Sequence, residues 1–184
     1  SLTAKDVLDQ TIFIVSSDQG FFYGEFGLAQ ERRLAYEPSI RIPFVVRYPA
    51  LARAGSRPDA LLSNVDVAPT LMALAGVKPP SDFDGRSMVK AFRNPSKAIR
   101  RDFLIEYFTD AEFPRLQQMG YRAIRTDQYK YIRYSELQGM DELYDLRKDP
   151  NELDNLLPSR VSKQTLQNLQ RRLDRLIDPS AKPK

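Results

Sequence analysis

The sequence contains no cysteine and no histidine among its 184 residues. These two absences exclude disulfides, thiolate nucleophiles, imidazole bases and the usual zinc sites within this chain. Any acid–base chemistry that the chain itself supplies must therefore come from carboxylates, lysines or tyrosines.

Long hydrophobic runs are also absent. No stretch has the length needed to span a bilayer, and the first ten residues, SLTAKDVLDQ, lack a signal-peptide core. We therefore predict no membrane span within this sequence. Because a strand of the buried type follows almost at once, we expect the first domain to be incomplete at its N-terminal side.

Charge of one sign is not concentrated anywhere. The chain has 28 basic and 24 acidic residues, a formal net charge of +4, and its arginine pairs are spread along the sequence. This distribution is compatible with anionic ligands and predicts no nucleic-acid interface. An apolar content of 42% is enough for a hydrophobic core, so we expect a folded chain.

The stretch from Thr11 to Pro43 organises the sequence. Its run Ile-Phe-Ile-Val predicts a strand buried on both faces, and Asp18-Gln19-Gly20 follows at the carboxyl end of that strand. Ligands bind at this end in open α/β sheets, and carboxylate and amide oxygens suit Ca²⁺ or Mg²⁺. The same three residues are also typical of a turn, which local chemistry alone favours.

The remaining sequence divides into two parts near residue 98. Before it, Phe44 to Tyr48 is predicted to form a strand, and Ser63 to Gly76 a helix with Asp66 as a cap. After it we predict strands at residues 102–108, 121–126, 129–134 and 142–146, and then a helix whose apolar residues share one stripe. The fold class is α/β, with an incomplete domain at 1–98 and a small antiparallel subdomain at 99–184.

Several segments, in this order, resemble one family. They are the organising stretch, RIPFVVRYP, SNVDVAPTLMALAGV, DGRS and YRAIRTDQYKYIRYSELQGMDELYDLRKDPNELDNL. Together they resemble the C-terminal part of type I sulfatases, in the alkaline-phosphatase-like superfamily. The resemblance implies the end of an α/β/α catalytic domain, then a four-stranded antiparallel sheet with a C-terminal packing helix. It also implies hydrolysis of a sulfate ester or sulfamate, with Ca²⁺ and a formylglycine nucleophile.

The resemblance assigns roles to particular positions. It implies that Asp18 and Gln19 are Ca²⁺ ligands and that Arg32, in the family's lysine position, is a sulfate-binding cation. The family's Gly-Glu-His-Gly-Leu segment has Phe26 in place of its histidine, and a phenyl ring can neither donate a hydrogen bond nor bind a metal. Exposed arginines and tyrosines on the 121–134 hairpin are candidates for contacts with the leaving group, or else form ordinary cross-strand pairs.

The family's nucleophile segment, Cys-or-Ser-x-Pro-Ser-Arg, is not found in this sequence. We therefore interpret the chain as a C-terminal fragment, inactive alone, whose partners are the missing N-terminal part of the sulfatase domain and a sulfated small molecule or glycan. The family suggests a periplasmic or secreted protein. Two alternatives stay open: a non-catalytic protein that binds sulfated glycans, and a phosphodiesterase or phosphonate hydrolase of the same superfamily.

Overall fold

A computed structural model describes residues 2–29, 31–109 and 117–180. The chain forms two compact units, each built from two segments. The first unit comprises Ser1–Asp18 and Ile42–Arg101, and the second comprises Gln19–Arg41 and Asp102–Lys184. The second unit thus combines an early segment with the late part of the chain. The domain division predicted at residue 98 stays a prediction.

The first unit contains a two-stranded antiparallel sheet of β1 (Phe13–Ser16) and β2 (Phe44–Arg47). Phe13 lies opposite Arg47, and Ser16 lies opposite Phe44. The prediction that the first strand is buried on both faces is wrong for this structure, because Val15 is 63% exposed. Two strands alone cannot cover their own faces, and apolar composition does not bury a strand without neighbouring elements.

Two short helices complete the first unit. A 3₁₀ turn at Asn64–Asp66 leads into α2 (Val67–Leu74), and α3 spans Val89–Arg93. Asp66 is fully buried and accepts hydrogen bonds from the backbone N–H groups of Ser63 (2.9 Å) and Arg86 (2.7 Å), while Arg100 pairs with its carboxylate. The predicted capping role of Asp66 is confirmed, because its carboxylate accepts the Ser63 N–H in a capping box. The same carboxylate also holds the segment before α3 through the N–H of Arg86.

The second unit contains a four-stranded antiparallel sheet in sequential order. Its strands are β3 (Asp102–Tyr107), β4 (Tyr121–Thr126), β5 (Tyr129–Tyr134) and β6 (Glu142–Asp145). Within the β4–β5 hairpin, Ala123 lies opposite Ile132 and Ile124 opposite Tyr131. The predicted bounds of the two hairpin strands are confirmed, and the two residues between them, Asp127-Gln128, form the short turn of the hairpin.

Helix α4 (Lys163–Ile177) packs on one face of this sheet. Ser162 caps it, its hydroxyl accepting a hydrogen bond from the backbone N–H of Thr165 (3.1 Å). Leu169 and Leu173 are buried against Ile124 and Leu143. The predicted packing helix and the α/β class with antiparallel sheets are thus confirmed.

The second unit also has a short helix, α1 (Glu37–Ile40), and a 3₁₀ turn at Glu25–Gly27. Both belong to its early segment, which reaches the sheet through contacts described below. Within the described residues, no helix is both long and apolar enough to cross a membrane.

Candidate functional site

The early segment of the second unit, Gln19–Arg41, carries most of the predicted site residues, and we refer to it as the site loop. Its apolar anchors are Phe22, which is fully buried, together with Leu34 and Ala35. The backbone N–H of Phe22 donates to the carbonyl of Glu31 (3.2 Å). The loop therefore folds back on itself around a small hydrophobic cluster, so its polar residues are held on an ordered backbone.

Gly20 joins the start of the site loop to α1. Its backbone N–H donates to the carbonyl of Ser39 (2.7 Å), and the next N–H donates to the carbonyl of Pro38 (2.8 Å). A Cβ atom at residue 20 would lie 2.1 Å from the Pro38 oxygen and 2.8 Å from the Ser39 oxygen. Only glycine permits this close backbone approach, so Gly20 fixes the path of the chain directly after Asp18 and Gln19.

Glu31 organises the backbone around Arg32. Its buried carboxylate accepts hydrogen bonds from the N–H groups of Arg32 (2.8 Å) and Arg33 (2.9 Å). Ser39 Oγ donates to the Arg32 carbonyl (2.6 Å). Burial would raise the pKa of Glu31, but these N–H donors and the Arg33 guanidinium outweigh it and hold that pKa below its usual value. Arg32 itself is exposed, so its guanidinium projects from a fixed backbone.

Polar side chains of the late segment hold alternate residues of the site loop. Tyr121 Oη donates to the Arg33 carbonyl (2.8 Å), and Lys130 Nζ donates to the Ala35 carbonyl (2.7 Å). The N–H of Glu37 donates to Glu152 Oε2 (2.6 Å). Residues 33, 35 and 37 of the loop are thus each held by a side chain of the late segment, so these backbone groups are satisfied.

Four charges form a buried cluster at the end of this contact. Lys130 has no exposed surface, and its Nζ lies 2.6 Å from Glu152 Oε1 and 3.0 Å from Glu37 Oε1. Arg125 also pairs with Glu37 (3.2 Å), so two cations balance two carboxylates. Burial raises the pKa of Glu152 although Lys130 opposes it. Burial acts the same way on Glu37, but Lys130 and Arg125 together lower that pKa.

A second cluster centres on Glu142, whose carboxylate accepts three phenol hydrogen bonds. The donors are Tyr36 (2.8 Å), Tyr134 (2.8 Å) and Tyr144 (2.6 Å). Burial, and then the charge and hydrogen bonds of Glu142, raise the pKa of all three tyrosines. The arrangement keeps the phenols protonated, and it attaches Tyr36 of the site loop to β5 and β6.

Phe26, which replaces the histidine of the family motif, has a structural role. Its ring stacks on Tyr36 with centroids 4.6 Å apart and planes 25° apart, and it meets Phe22 edge-on at 6.0 Å. The backbone at Phe26 is left-handed (φ 58°), and the side chain is 39% exposed. The residue therefore contributes to the aromatic packing of the site loop, where hydrogen-bonding capacity is not needed.

Asp18 and Gln19, the predicted metal ligands, are both exposed. Ser17 Oγ donates to Asp18 Oδ1 (3.3 Å). In the part of the chain that the structure describes, no group of three or more acidic, histidine or cysteine side chains could hold a metal ion. Ca²⁺ takes six to eight oxygen ligands. The two donors therefore fit Ca²⁺ in kind, and further ligands would have to come from elsewhere.

The hairpin arginines named as candidates for leaving-group contacts all have acidic partners. Arg122 pairs with Glu106 (2.8 Å), Arg133 with Asp174 (2.8 Å) and Arg125 with Glu37. Two hairpin tyrosines, at positions 121 and 131, lie in the core. The Arg122–Glu106 pair is a cross-strand pair, as the alternative interpretation expected, whereas Arg133 pairs with α4 and Arg125 with the site loop.

Sequence reasoning missed Lys130, Glu142 and Glu152, the residues that hold the site loop. One signal was available: a lysine within a strand of otherwise apolar and aromatic residues is rarely buried unless it is paired.

The chain belongs to the N-sulphoglucosamine sulphohydrolase C-terminal family, whose profile it matches over residues 24–179. A curated relative is the N-acetylglucosamine-6-O-sulfatase of Bacteroides thetaiotaomicron, 37% identical over 150 residues, which cover 81% of this chain and 27% of that protein. An extracellular sulfatase of Drosophila melanogaster is 35% identical over 103 residues, 54% of this chain and 9% of that protein. The chain thus spans about a third or less of these relatives.

Solved structures agree with this assignment. One protein, in complex with its substrate D-glucosamine-2-N,6-O-disulfate, superposes with a TM-score of 0.86 at 33% identity and covers 94% of this chain and 35% of that one. The phosphonate monoester hydrolase of Agrobacterium radiobacter superposes with a TM-score of 0.75 at 25% identity, covering 94% of this chain and 37% of that one. The fold is therefore shared by enzymes that act on sulfate and on phosphonate esters.

Proposed function

We propose that the chain is the C-terminal part of a sulfatase that hydrolyses a sulfate ester or sulfamate of a sulfated carbohydrate. Family membership and the sulfatase relatives support this proposal. The observation that carries it furthest is an exposed Arg32 on a backbone fixed by Glu31 and Ser39. A cation held in this way is suited to binding a small anion, because little conformational entropy is lost when the anion binds.

In this proposal Arg32 binds the sulfate group. Its planar guanidinium can donate two parallel hydrogen bonds to two oxygens of a tetrahedral anion, which a lysine in the same position cannot do. Because Glu31 takes up the N–H groups of both Arg32 and Arg33, the backbone cannot turn away from the anion. The side chains of the late segment that hold residues 33, 35 and 37 also restrict this backbone, although they lie further from the substrate.

Asp18 and Gln19 would hold Ca²⁺ together with ligands from the rest of the enzyme. The bound ion would supply positive charge beside the sulfate as the ester bond breaks. The carboxylate of Asp18 would bind the ion most strongly, and the neutral amide of Gln19 would leave more of its charge available to the sulfate. Gly20 would keep both side chains at the point where the chain enters the site loop.

The nucleophile, the formylglycine of this family, would come from the remaining part of the protein, so we expect this chain alone to be inactive. That remaining part is also the expected cover for the sheet of the first unit, where Val15 and Val45 are 63% and 61% exposed. The extracellular relatives support a secreted or periplasmic protein.

Activity of the complete protein tests the proposal. Using an aryl sulfate and a 6-O-sulfated glucosamine, Asp18→Ala should abolish turnover, and Arg32→Ala should lower kcat/KM by about 10²–10³-fold, the usual loss when one charge-stabilising donor is removed. Arg32→Lys should retain an intermediate rate. Arg171→Ala, an exposed arginine on α4, is the control and should match the parent protein.

Two outcomes would overturn the proposal. Turnover of a phosphonate monoester but not of any sulfate ester would favour the second enzyme class, to which the Agrobacterium structure belongs. Binding of sulfated glycans without turnover of either ester would favour the non-catalytic alternative.

A further inference from the structure

A cluster of cations in the first unit is not used by the proposed site. Arg53, Arg57 and Arg93 line one open pocket of about 440 Å³, together with Ser56 and Pro95. We refer to it as the arginine pocket. Its volume lies in the usual range for small-ligand sites, and three of its seven lining residues are arginines. Such a lining selects for anions.

Local hydrogen bonds build the walls of the arginine pocket. Ser56 donates twice to the carbonyl of Arg53, through its backbone N–H (3.2 Å) and its Oγ (2.7 Å), and Gly55 supplies the left-handed backbone (φ 71°) that closes this turn. On the other side Arg93 is the last residue of α3. The two walls are therefore a tight turn and a helix end, so the three cations project from ordered backbone.

Two other arginines of the same unit have an acidic partner. Arg47 pairs with Asp9 (2.5 Å), and Arg100 pairs with the buried Asp66. Among the residues that the structure describes, no ion pair joins Arg53, Arg57 or Arg93 to a carboxylate. Asp59, the acidic residue nearest to Arg57 in the sequence, pairs with none of them. Like charges around one pocket repel each other, and a bound anion would relieve this repulsion.

We propose that the arginine pocket is a binding subsite for the sulfate groups of an oligosaccharide. Three cations on one pocket exceed the charge of a single sulfate monoester, so they fit a saccharide with two or more sulfates better than an isolated ion. Guanidinium forks match sulfate oxygens in pairs, as they also match carboxylates, so the preference for sulfates comes from the larger number of charges that a multiply sulfated saccharide carries. The choice of a sulfated saccharide among polyanions rests on the proposed function, whereas the cationic pocket does not.

Calorimetric titration of the full chain with a heparin hexasaccharide tests the subsite. The triple variant Arg53→Ala, Arg57→Ala, Arg93→Ala should bind at least tenfold more weakly than the parent chain. A control variant that removes the same charge, Lys163→Ala, Arg171→Ala, Arg175→Ala on the exposed side of α4, should change the affinity less than threefold. Because all six side chains are exposed, thermal unfolding should be similar for the three proteins.

Equal weakening by both variants would show that binding follows net charge alone, and the subsite would be overturned. A desulfated hexasaccharide that keeps its carboxylates should bind at least tenfold more weakly, and equal binding would refute the preference for sulfate. Hydrolysis of an aryl sulfate by the complete protein is measured separately. If that activity is absent while the arginine-dependent binding persists, the proposed function fails and the subsite stands.

Discussion

The strands of the two sheets of this chain differ in how far they are buried. In the second unit β5 is covered although it contains a lysine. Lys130 is fully buried because two carboxylates and a carbonyl surround its Nζ. In the first unit an apolar strand stays open to solvent, with Val15 63% exposed. The elements that pack on a strand, rather than its own composition, thus decide whether it is buried.

The largest effect should come from removing the cation at the centre of the second unit. Lys130→Met leaves two buried carboxylates with less compensation, and we expect the free energy of unfolding to fall by about 3–5 kcal/mol. Urea unfolding followed by circular dichroism measures this loss. Lys97→Met, at an exposed lysine of the first unit, should cost less than about 0.5 kcal/mol. Similar losses for both variants would contradict the contrast between the units.

A pair of apolar truncations compares the sheets directly. Ile132 in β5 is 1% exposed, and Ile132→Ala should cost about 2–5 kcal/mol by creating a cavity. Val45 in β2 is 61% exposed, and Val45→Ala should change the unfolding free energy by less than about 0.5 kcal/mol in this chain. In the complete protein Val45→Ala should cost distinctly more if the rest of the sulfatase domain covers this sheet. An unchanged value there would argue against that cover.

Alkaline pH should weaken the second unit through its buried tyrosines. Burial raises the pKa of Tyr131 to about 12, and burial and Glu142 raise the pKa of Tyr134 further. A phenol in the unfolded chain ionises near pH 10 while the folded one keeps its proton. Stability is therefore fully present below pH 10 and falls above it, by about 1.4 kcal/mol per pH unit for each such tyrosine.

Urea unfolding at pH 8 to 11 measures this slope. Tyr134→Phe should reduce it by the contribution of one tyrosine. Tyr23→Phe, at a side chain that is 87% exposed, should leave the slope as it is in the parent chain. A parent slope near zero above pH 10 would show that the Glu142 cluster does not hold its phenols protonated.

The smallest effect should come from restoring the family histidine. Phe26→His replaces a ring that is 39% exposed and stacked on Tyr36, so we expect a loss of about 0.5–1.5 kcal/mol from the weaker aromatic contact. Thermal unfolding measures it. A gain in stability would show that Phe26 does not serve the packing of the site loop.

Sequence patterns predicted the four-stranded sheet and its packing helix well. The bounds of β4 and β5 followed from two runs of strand-forming residues on either side of the short turn Asp127-Gln128, and α4 followed from its apolar stripe. These features are local, so a window of the sequence contains them. Burial of β1 was predicted wrongly because it depends on elements outside the window. The partners of Lys130 were missed for the same reason, since Glu37 and Glu152 lie far away along the chain.

The candidate site was likewise predicted only in part from the sequence. Family motif order indicated Asp18, Gln19 and Arg32, and their roles stay predictions. The order of the motifs could not indicate which residues hold the backbone at Arg32. Glu31 reads as an ordinary surface charge in the sequence, and only the folded chain places its carboxylate under two backbone N–H groups.

The bonds between the site loop and the sheet also have a consequence for the order of folding. They join residues 88, 95, 106 and 115 positions apart in the chain. Contacts of such long range form late, because a large loop must close first. During synthesis the site loop therefore leaves the ribosome long before Glu142 and Glu152 exist to hold it. A chain that stopped before Glu142 would contain the whole loop sequence with its bonds to Tyr121 and Lys130, but would lack the bonds to Glu142 and Glu152.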